Sequence, residues 1–285
     1  MDELQTLRFD DVELSCTLRG EGPLVICAHG FPDDERSFRA QVDPLVARGY
    51  RVACPTMRGY APSGVARSGH YDAAALARDL RAIADHLSPT EKVRLVGHDW
   101  GAIAAYAATA LAPERFSHLV TMAVPHLAIV LPRLIRPAQL RRSWYLYFFQ
   151  LRGIAERRLA RDDLALVDRL WRDWSPSYRP AKEDMDHIKA AIRPRIKEVI
   201  GYYRAFFSPR ALAGEPRRLL LEKTRVPALY FHGEEDGCIG VDLMEGMERY
   251  FLAGVEMHRV RGAGHFVHLE RPDAVNPILL DFLAR

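Results

Sequence analysis

Gly97-His98-Asp99-Trp100-Gly101 decides the reading of this chain. An apolar strand, residues 93–96, runs into it, and a small-residue helix, residues 102–112, runs out of it. Glycines at both ends let the turn close tightly and let strand and helix approach one another. The residue at the apex of such a strand–turn–helix is held out at the end of a sheet, where a nucleophile is usually found. Here it is Asp99. A carboxylate is ionised at neutral pH without help from a base, and the N-terminus of the following helix favours that state. It can attack a saturated carbon, expel an oxygen or a halide, and leave an alkyl ester on the protein. Hydrolysis of that ester then needs a general base and donors for an oxyanion.

Three other segments supply those groups. His29-Gly30-Phe31-Pro32 follows the apolar strand 23–28. A loop there sets a backbone N–H opposite Asp99, so the amides of Phe31 and Trp100 are the expected oxyanion donors. Phe31-Pro32 is a candidate cis peptide, since tight fixed turns are where cis-proline occurs. Gly233-Glu234-Glu235-Asp236-Gly237 follows the strand 226–232. Asp236 is the chosen acid, with Glu234 and Glu235 read as solvated alternatives. Gly262-Ala263-Gly264-His265-Phe266 follows the strand 255–260, and His265 is the expected base. Of the 11 histidines the other ten take ordinary readings. His98 is read as filler in the turn, His268 as lying on the segment after the catalytic loop, and Glu270 as an anchor for that segment. Nucleophile, acid and histidine occur in one order, each after an apolar strand, and ligands bind outside those strand ends in open α/β sheets.

The rest of the chain agrees with an α/β architecture. Residues 4–18 read as a β-hairpin turning at Asp10-Asp11, and residues 50–55 and 119–124 as further strands. Helices are expected over 33–47, 72–87, 241–251 and 273–283. Leu76, Leu80, Ile83 and Leu87 recur at helical spacing. Alternating strands and helices predict a mostly parallel sheet covered on both faces. The rhythm stops at Pro125, and up to Arg225 the chain reads as helices broken by Pro and Gly. The expected organisation is a core of residues 1–124 and 226–285 with an inserted helical cap of residues 125–225.

At 48% hydrophobic and 27% charged residues, the composition is that of a globular protein. No apolar run reaches the roughly 18–20 residues of a membrane span. Four cysteines without metal-binding spacing, and an acidic start at Met1-Asp2-Glu3, lead to an expectation of reduced thiols and a cytoplasmic location. The net charge is +3 but uneven, with 22 Lys and Arg against 11 Asp and Glu between residues 125 and 225. A basic cap on an acidic body helps the two to dock; an anionic substrate is the second reading. No nucleic-acid module is present, and neither a cofactor nor a metal is expected. The oligomeric state is open, a homodimer included.

His29-Gly30-Phe31-Pro32, Gly97-His98-Asp99-Trp100-Gly101, Asp236 and His265 together resemble the epoxide hydrolases of the α/β-hydrolase superfamily, over nearly the whole chain. The loop Arg58-Gly59-Tyr60-Ala61-Pro62-Ser63-Gly64 looks like the family's too. In that family two cap tyrosines bind and protonate the epoxide oxygen. Ser143-Trp144-Tyr145-Leu146-Tyr147-Phe148-Phe149-Gln150 looks like the first tyrosine segment, which implies Tyr145. Gly201-Tyr202-Tyr203-Arg204 looks like the second, which implies Tyr203. Tyr147 and Tyr202 are the neighbouring alternatives. The implied substrate is a small, hydrophobic epoxide bound by Phe31, Trp100, Tyr145 and Tyr203. Haloalkane dehalogenases share Asp followed by Trp, but they have Asn after the His-Gly pair, where this chain has Phe31. Fluoroacetate dehalogenases have Arg after the nucleophile, where this chain has Trp100. A dehalogenase is therefore the first alternative, and a non-catalytic ligand-binding protein on this fold the second.

Overall fold

The computed structural model describes residues 3–285. Eight strands form one sheet: β1 (Glu3–Arg8), β2 (Glu13–Arg19), β3 (Leu24–Ala28), β4 (Arg51–Pro55), β5 (Val93–His98), β6 (Phe116–Met122), β7 (Ala228–Gly233) and β8 (Val255–Val260). Their order is β1-β2-β4-β3-β5-β6-β7-β8. The β1–β2 and β2–β4 pairs are antiparallel and the others parallel. Every residue of β3 and β7 is buried, as befits central parallel strands covered on both faces. Edge strand β8 keeps most of its residues partly exposed. In register, Ala28 lies opposite Gly97, His98 opposite Met122, and Gly233 opposite Val260. The loops after β3, β5, β7 and β8 therefore leave the sheet along one edge.

Helices cover both faces. Ahead of α1 (Arg39–Ala47) the chain makes a 3₁₀ turn, Glu35–Phe38, whose first N–H groups are capped by Asp34. The single helix expected over 33–47 is thus two pieces. Asp72 caps α2 (Ala73–Leu87), which buries Leu76, Leu80 and Ile83. α3 (Trp100–Leu111) is buried along nearly its whole length, against β5, β6 and α2. Alanines fill it because larger side chains would hold those layers apart. The helix expected over 241–251 is not formed. Two 3₁₀ turns, Val241–Met244 and Met247–Tyr250, stand there, separated by Gly246 at φ +79°. A left-handed residue cannot continue a right-handed helix, and Gly246 is where the pattern breaks.

Between β6 and β7 the chain is helical, from Leu127–Val130 to Gly214–Leu221, and forms the inserted cap. Its charged contacts with the body follow the expected sign at Asp34–His187 (2.6 Å), Asp72–Arg210 (2.6 Å) and Asp242–Arg136 (3.0 Å). They reverse it at Asp184, which holds Arg36 (3.0 Å) and Arg39 (2.8 Å) of the body. The exposed Arg136–Asp242 pair contributes little, whereas Asp34 and Asp72 are buried carboxylates, each meeting a half-exposed cation of the cap. The firmer fastening is the cap helix Ala165–Trp174. Its Trp171 stacks on Phe266 with ring centroids 3.4 Å apart, and its indole N–H donates to the Pro32 carbonyl at 2.7 Å. Replacing Trp171 with Ala is expected to cost about 3–5 kcal/mol of stability. Trp171→Phe keeps the ring face, loses the N–H, and is expected to cost about 1 kcal/mol. Urea midpoints of the two variants check both values.

Candidate active site

Asp99 follows β5 directly and caps α3, with φ 51° and ψ −118°, a backbone conformation that few side chains tolerate. Helix α3 begins at once, and the Asp99 carbonyl accepts from the amides of Ala102 (2.9 Å) and Ile103 (3.1 Å). The turn closes only because its glycines have no side chain. A Cβ on Gly101 would strike the Ala28 and His29 carbonyls. On the opposite loop, a Cβ on Gly30 would strike Asp99 itself at Cβ and Oδ1. These bare contacts bring the Phe31 amide to 2.8 Å from Asp99 Oδ1. Trp100 opens α3, so its amide is one of the first-turn N–H groups without an intrahelical acceptor. The Phe31–Pro32 peptide is cis, as is Ala61–Pro62. His29 fixes the loop: its Nε2 accepts from the Met57 amide at 3.0 Å, so Nδ1 carries the proton and donates to the Gly30 carbonyl at 2.9 Å.

His265 stands on the other side of the carboxylate, with Nε2 3.4 Å from Asp99 Oδ2. Its Nδ1 lies 2.9 Å from Asp236 Oδ2. Asp236 is held in turn by the amides of Cys238 (2.7 Å) and Ile239 (2.8 Å) at Oδ1. Glu234 and Glu235 are off this line, and Glu235 accepts from Ser177 on the surface. Glu270 anchors the histidine loop, accepting from the amides of Gly264 (2.8 Å) and Phe266 (3.1 Å) and from the Ser175 hydroxyl (2.6 Å). His98 does more than fill the turn. Its Nε2–H donates to the His265 carbonyl at 3.0 Å and ties the end of β5 to the His265 loop. His268 sits beneath, bonded to Ser37 at 2.9 Å.

The ionisation states follow from these contacts. Burial would raise the Asp99 carboxyl, but His265 and the Phe31 amide hold it below the usual carboxylate range. Asp236 is likewise held low against its burial, chiefly by His265. Burial alone would depress His265, yet Cys238, Asp236 and Asp99 around it raise it well above an ordinary histidine. Burial pushes the Cys238 thiol up to about 11, so it is neutral near pH 7 and the two carboxylates do the raising. Burial also lowers His98 to about 3, which keeps it a neutral donor.

Above Asp99 is a cavity of about 50 Å³. Its walls are apolar, among them Trp100, Ile103, Val124, Leu127 and Phe206, and its polar members are Asp99, Ser143, Tyr145 and Tyr203. Among the described residues no Lys or Arg lines it. A concavity of about 500 Å³ beside Arg152, Lys197 and Arg210 holds none of these groups. Tyr145 and Tyr203 are buried with ring centroids 5.5 Å apart, edge to face. Tyr203 also packs on Trp100 at 5.2 Å, and among the described residues its hydroxyl has no hydrogen-bond partner. The Tyr145 hydroxyl lies 3.1 Å from Cys238 Sγ. Burial pushes both phenols well above their ordinary value, so both keep their protons. The alternatives point elsewhere: Tyr147 is 46% exposed, and Tyr202 donates to the Arg58 carbonyl at 2.7 Å. Sequence reasoning missed Cys238, Ser175 and His232, whose Nε2 is 3.4 Å from Asp236 Oδ2. Proximity of Cys238 to Asp236 in sequence was the one available signal.

Residues 23–272 match the family model described as alpha/beta hydrolase fold. The chain is 30% identical over 277 residues to AB hydrolase superfamily protein YfhM of Bacillus subtilis, covering 93% of this chain and 91% of that protein. It is 30% identical over 302 residues to Epoxide hydrolase A of Mycobacterium tuberculosis, covering 92% and 90%. The crystal structure of Epoxide Hydrolase A from Mycobacterium thermoresistibile superposes with a TM-score of 0.82 at 27% identity, over 100% of this chain and 98% of that one. Gly30→Ala is expected to displace the Asp99 carboxylate. A misplacement of about 1 Å costs on the order of 100-fold in rate. Initial rates with a turned-over substrate, beside a melting curve, separate this loss from unfolding.

Proposed function

This chain belongs to the α/β-hydrolase family, and we propose that it is a cofactor-independent epoxide hydrolase that makes vicinal diols through a covalent ester on Asp99. One observation carries the reading: across a single apolar cavity, an ionised carboxylate faces two buried, protonated phenols. An opening epoxide develops alkoxide character, which needs a proton donor before it will leave. Tyr145 and Tyr203 bind the oxygen and supply that proton. Asp99 Oδ2 attacks the ring carbon as the carbon–oxygen bond breaks. Oδ1 becomes the ester carbonyl oxygen, already at the Phe31 amide. With the Asp99 charge gone, His265 releases its proton to solvent, to be regained when the carboxylate is restored, and the neutral imidazole, oriented by Asp236, takes a proton from water. Hydroxide adds to the ester carbon, and the amides of Phe31 and Trp100 hold the oxyanion. The diol leaves with the proton from His265, and the proton left on the Asp99 carboxyl returns to the phenolate.

Residues 125–225 serve as the cap that supplies both phenols. The absence of cations from the cavity wall favours a neutral, hydrophobic substrate over the anionic one that the basic cap raised. Four buried free cysteines support a reducing, cytoplasmic setting. Among the described residues no helix is long and apolar enough to cross a membrane.

Product analysis with aliphatic and aryl epoxides and matched haloalkanes tests the assignment. Diol well above an Asp99→Ala control is expected. Halide release without diol would move the chain to the dehalogenases, and tight binding without turnover to a ligand-binding protein. His265→Gln is expected to stop at the ester, so intact mass should rise by one substrate, on the peptide bearing Asp99. Tyr145→Phe and Tyr203→Phe should each slow alkylation, by roughly 100-fold or more, in single-turnover measurements.

The pH dependence has a defined sign. In the free protein two carboxylates raise His265, and a protonated His265 holds Asp99 ionised. Alkylation removes the Asp99 charge, so His265 gives up its proton more readily in the ester than in the free protein. As pH falls, His265 is protonated in the ester before Asp99 is protonated in the free protein. Hydrolysis of the ester therefore fails first, and trapped alkyl-enzyme is expected to accumulate at acid pH, visible by rapid quench and mass spectrometry.

A further inference from the structure

Two of the four free cysteines stand side by side. In the parallel β3–β4 pair Ile26 lies opposite Ala53, and one step further along Cys27 meets Cys54. Neighbouring strands run about 4.7–4.9 Å apart, inside the roughly 4.4–6.8 Å between Cα atoms that a disulfide spans. Both side chains belong to the apolar cluster on one face of the sheet, with Val25, Val52 and Phe38. The two thiols are hydrogen-bonded to one another. We propose that Cys54 and Cys27 form a peroxide-reactive pair, in which Cys54 is oxidised first and Cys27 then closes a disulfide between β3 and β4.

The two thiols differ in access. Cys54 lines a cleft of about 170 Å³ between the sheet and α1, open to a molecule as small as hydrogen peroxide. Cys27 is on the next strand inward and is not part of that wall. Contact with Cys54, and then burial, holds the Cys27 thiol well above its ordinary value, so Cys27 keeps its proton while Cys54 meets the oxidant. Thr17 lies opposite Cys54 on β2, and Arg39 of α1 lines the same cleft. A hydroxyl and a guanidinium are donors suited to hydroxide as it leaves.

The chemistry balances in two steps. Cys54, as its thiolate, attacks one peroxide oxygen. The oxygen–oxygen bond breaks, hydroxide leaves and takes up the proton the thiol gave, and a sulfenic acid remains on Cys54. The Cys27 sulfur then attacks the Cys54 sulfur. The sulfur–oxygen bond breaks, and the departing hydroxide takes the Cys27 proton. Two thiols and one peroxide become one disulfide and two waters. Both strands run on into the site. β3 leads to His29 and Phe31, and Cys54 is followed by Met57, whose amide donates to His29 Nε2 at 3.0 Å. A covalent tie beneath that contact moves the loop that brings the Phe31 amide to Asp99, so oxidation slows turnover. The disulfide rests on the strand geometry alone; the loss of turnover rests also on the epoxide-hydrolase reading.

Wild-type protein is treated with hydrogen peroxide beside Cys54→Ser and Cys27→Ser, with circular dichroism as the check on folding. The intact mass of the wild type is expected to fall by two hydrogens, reversibly with dithiothreitol. Mapping without reduction should join the peptides of Cys27 and Cys54. Cys27→Ser should stop at a sulfenic acid that dimedone traps on Cys54, and Cys54→Ser should form no disulfide. The exposed Met257 is an internal control for the oxidant. A folded wild type that keeps Cys54 as a free thiol while Met257 is oxidised overturns the pair. So does Cys54 carried on to a sulfinic acid without a disulfide, or a disulfide joining other cysteines. These three outcomes are read on the wild type and need neither variant. Epoxide turnover should fall in the disulfide-bonded wild type and return with dithiothreitol, while Cys54→Ser keeps its rate under the same treatment. Unchanged turnover in fully disulfide-bonded protein overturns the effect on the reaction. A mapped Cys27–Cys54 disulfide in a protein that turns over no epoxide supports the pair and removes the functional reading instead.

Discussion

A carboxylate with almost no access to water sets the terms for everything around it. Asp99 is 5% exposed, and an unpaired charge there would be lost by protonation. The chain meets this with one imidazole placed between two buried carboxylates, Asp99 and Asp236. The second carboxylate raises the imidazole, and the raised imidazole keeps the first one charged. Neither half of the arrangement holds without the other. Loss of His265 leaves two buried anions, and loss of Asp236 leaves an imidazole with less reason to stay charged.

That electrostatic unit requires close approach of three loops, and the sequence provides it by omission of side chains. Gly101 lets α3 sit against the end of β3, and Gly30 lets the Phe31 amide reach Oδ1. Gly233 does the same between β7 and the histidine loop, where a Cβ would meet the carbonyls of Ala263 and Gly264, and Gly264 lets Trp174 and Ser175 approach that loop. The strained backbone of Asp99 is retained because every neighbour packs against it. The fold thus spends its glycines where the site needs backbone against backbone.

These requirements are local, and so they were legible. A strand, a glycine-flanked apex and a helix are contiguous in sequence, as are His29-Gly30-Phe31-Pro32 and the loop of His265. The strands that position them stood out as apolar runs. What was not legible depends on pairing across the fold. Tyr145 and Tyr147 are both aromatic residues on one short helix, and only the docking of that helix turns the first inward and leaves the second at the surface. Tyr202 and Tyr203 part in the same way, one toward Arg58 and the other toward Asp99's cavity. Ser175 meets Glu270 across 95 residues, and no local pattern announces such a bond. The helix expected over 241–251 fails for the opposite, local reason: a single left-handed Gly246 divides the segment into two 3₁₀ turns.

The distribution of these long-range contacts has a mechanical consequence. Helix Ala165–Trp174 of the cap touches the base loop at several points at once: Trp171 on Phe266, the Trp174 carbonyl accepting from the His265 amide at 3.1 Å, and Ser175 just beyond it on Glu270. It also reaches the Phe31 side of Asp99, through the Trp171 bond to Pro32. The phenols come from other cap helices, Trp144–Phe148 and Gly201–Phe206. One side of the cap is therefore bound to the loops that hold Asp99 and His265, while another carries Tyr145 and Tyr203, which line the cavity. Rigid movement of the whole cap would break the base loop's support along with the phenol contacts. Access to the apolar cavity is better served by local rearrangement near Leu127–Val130 and Phe206, apolar residues of its wall. The arrangement keeps the buried charges fixed while the apolar wall adjusts, since side-chain repacking there exposes no ion to a change of partner.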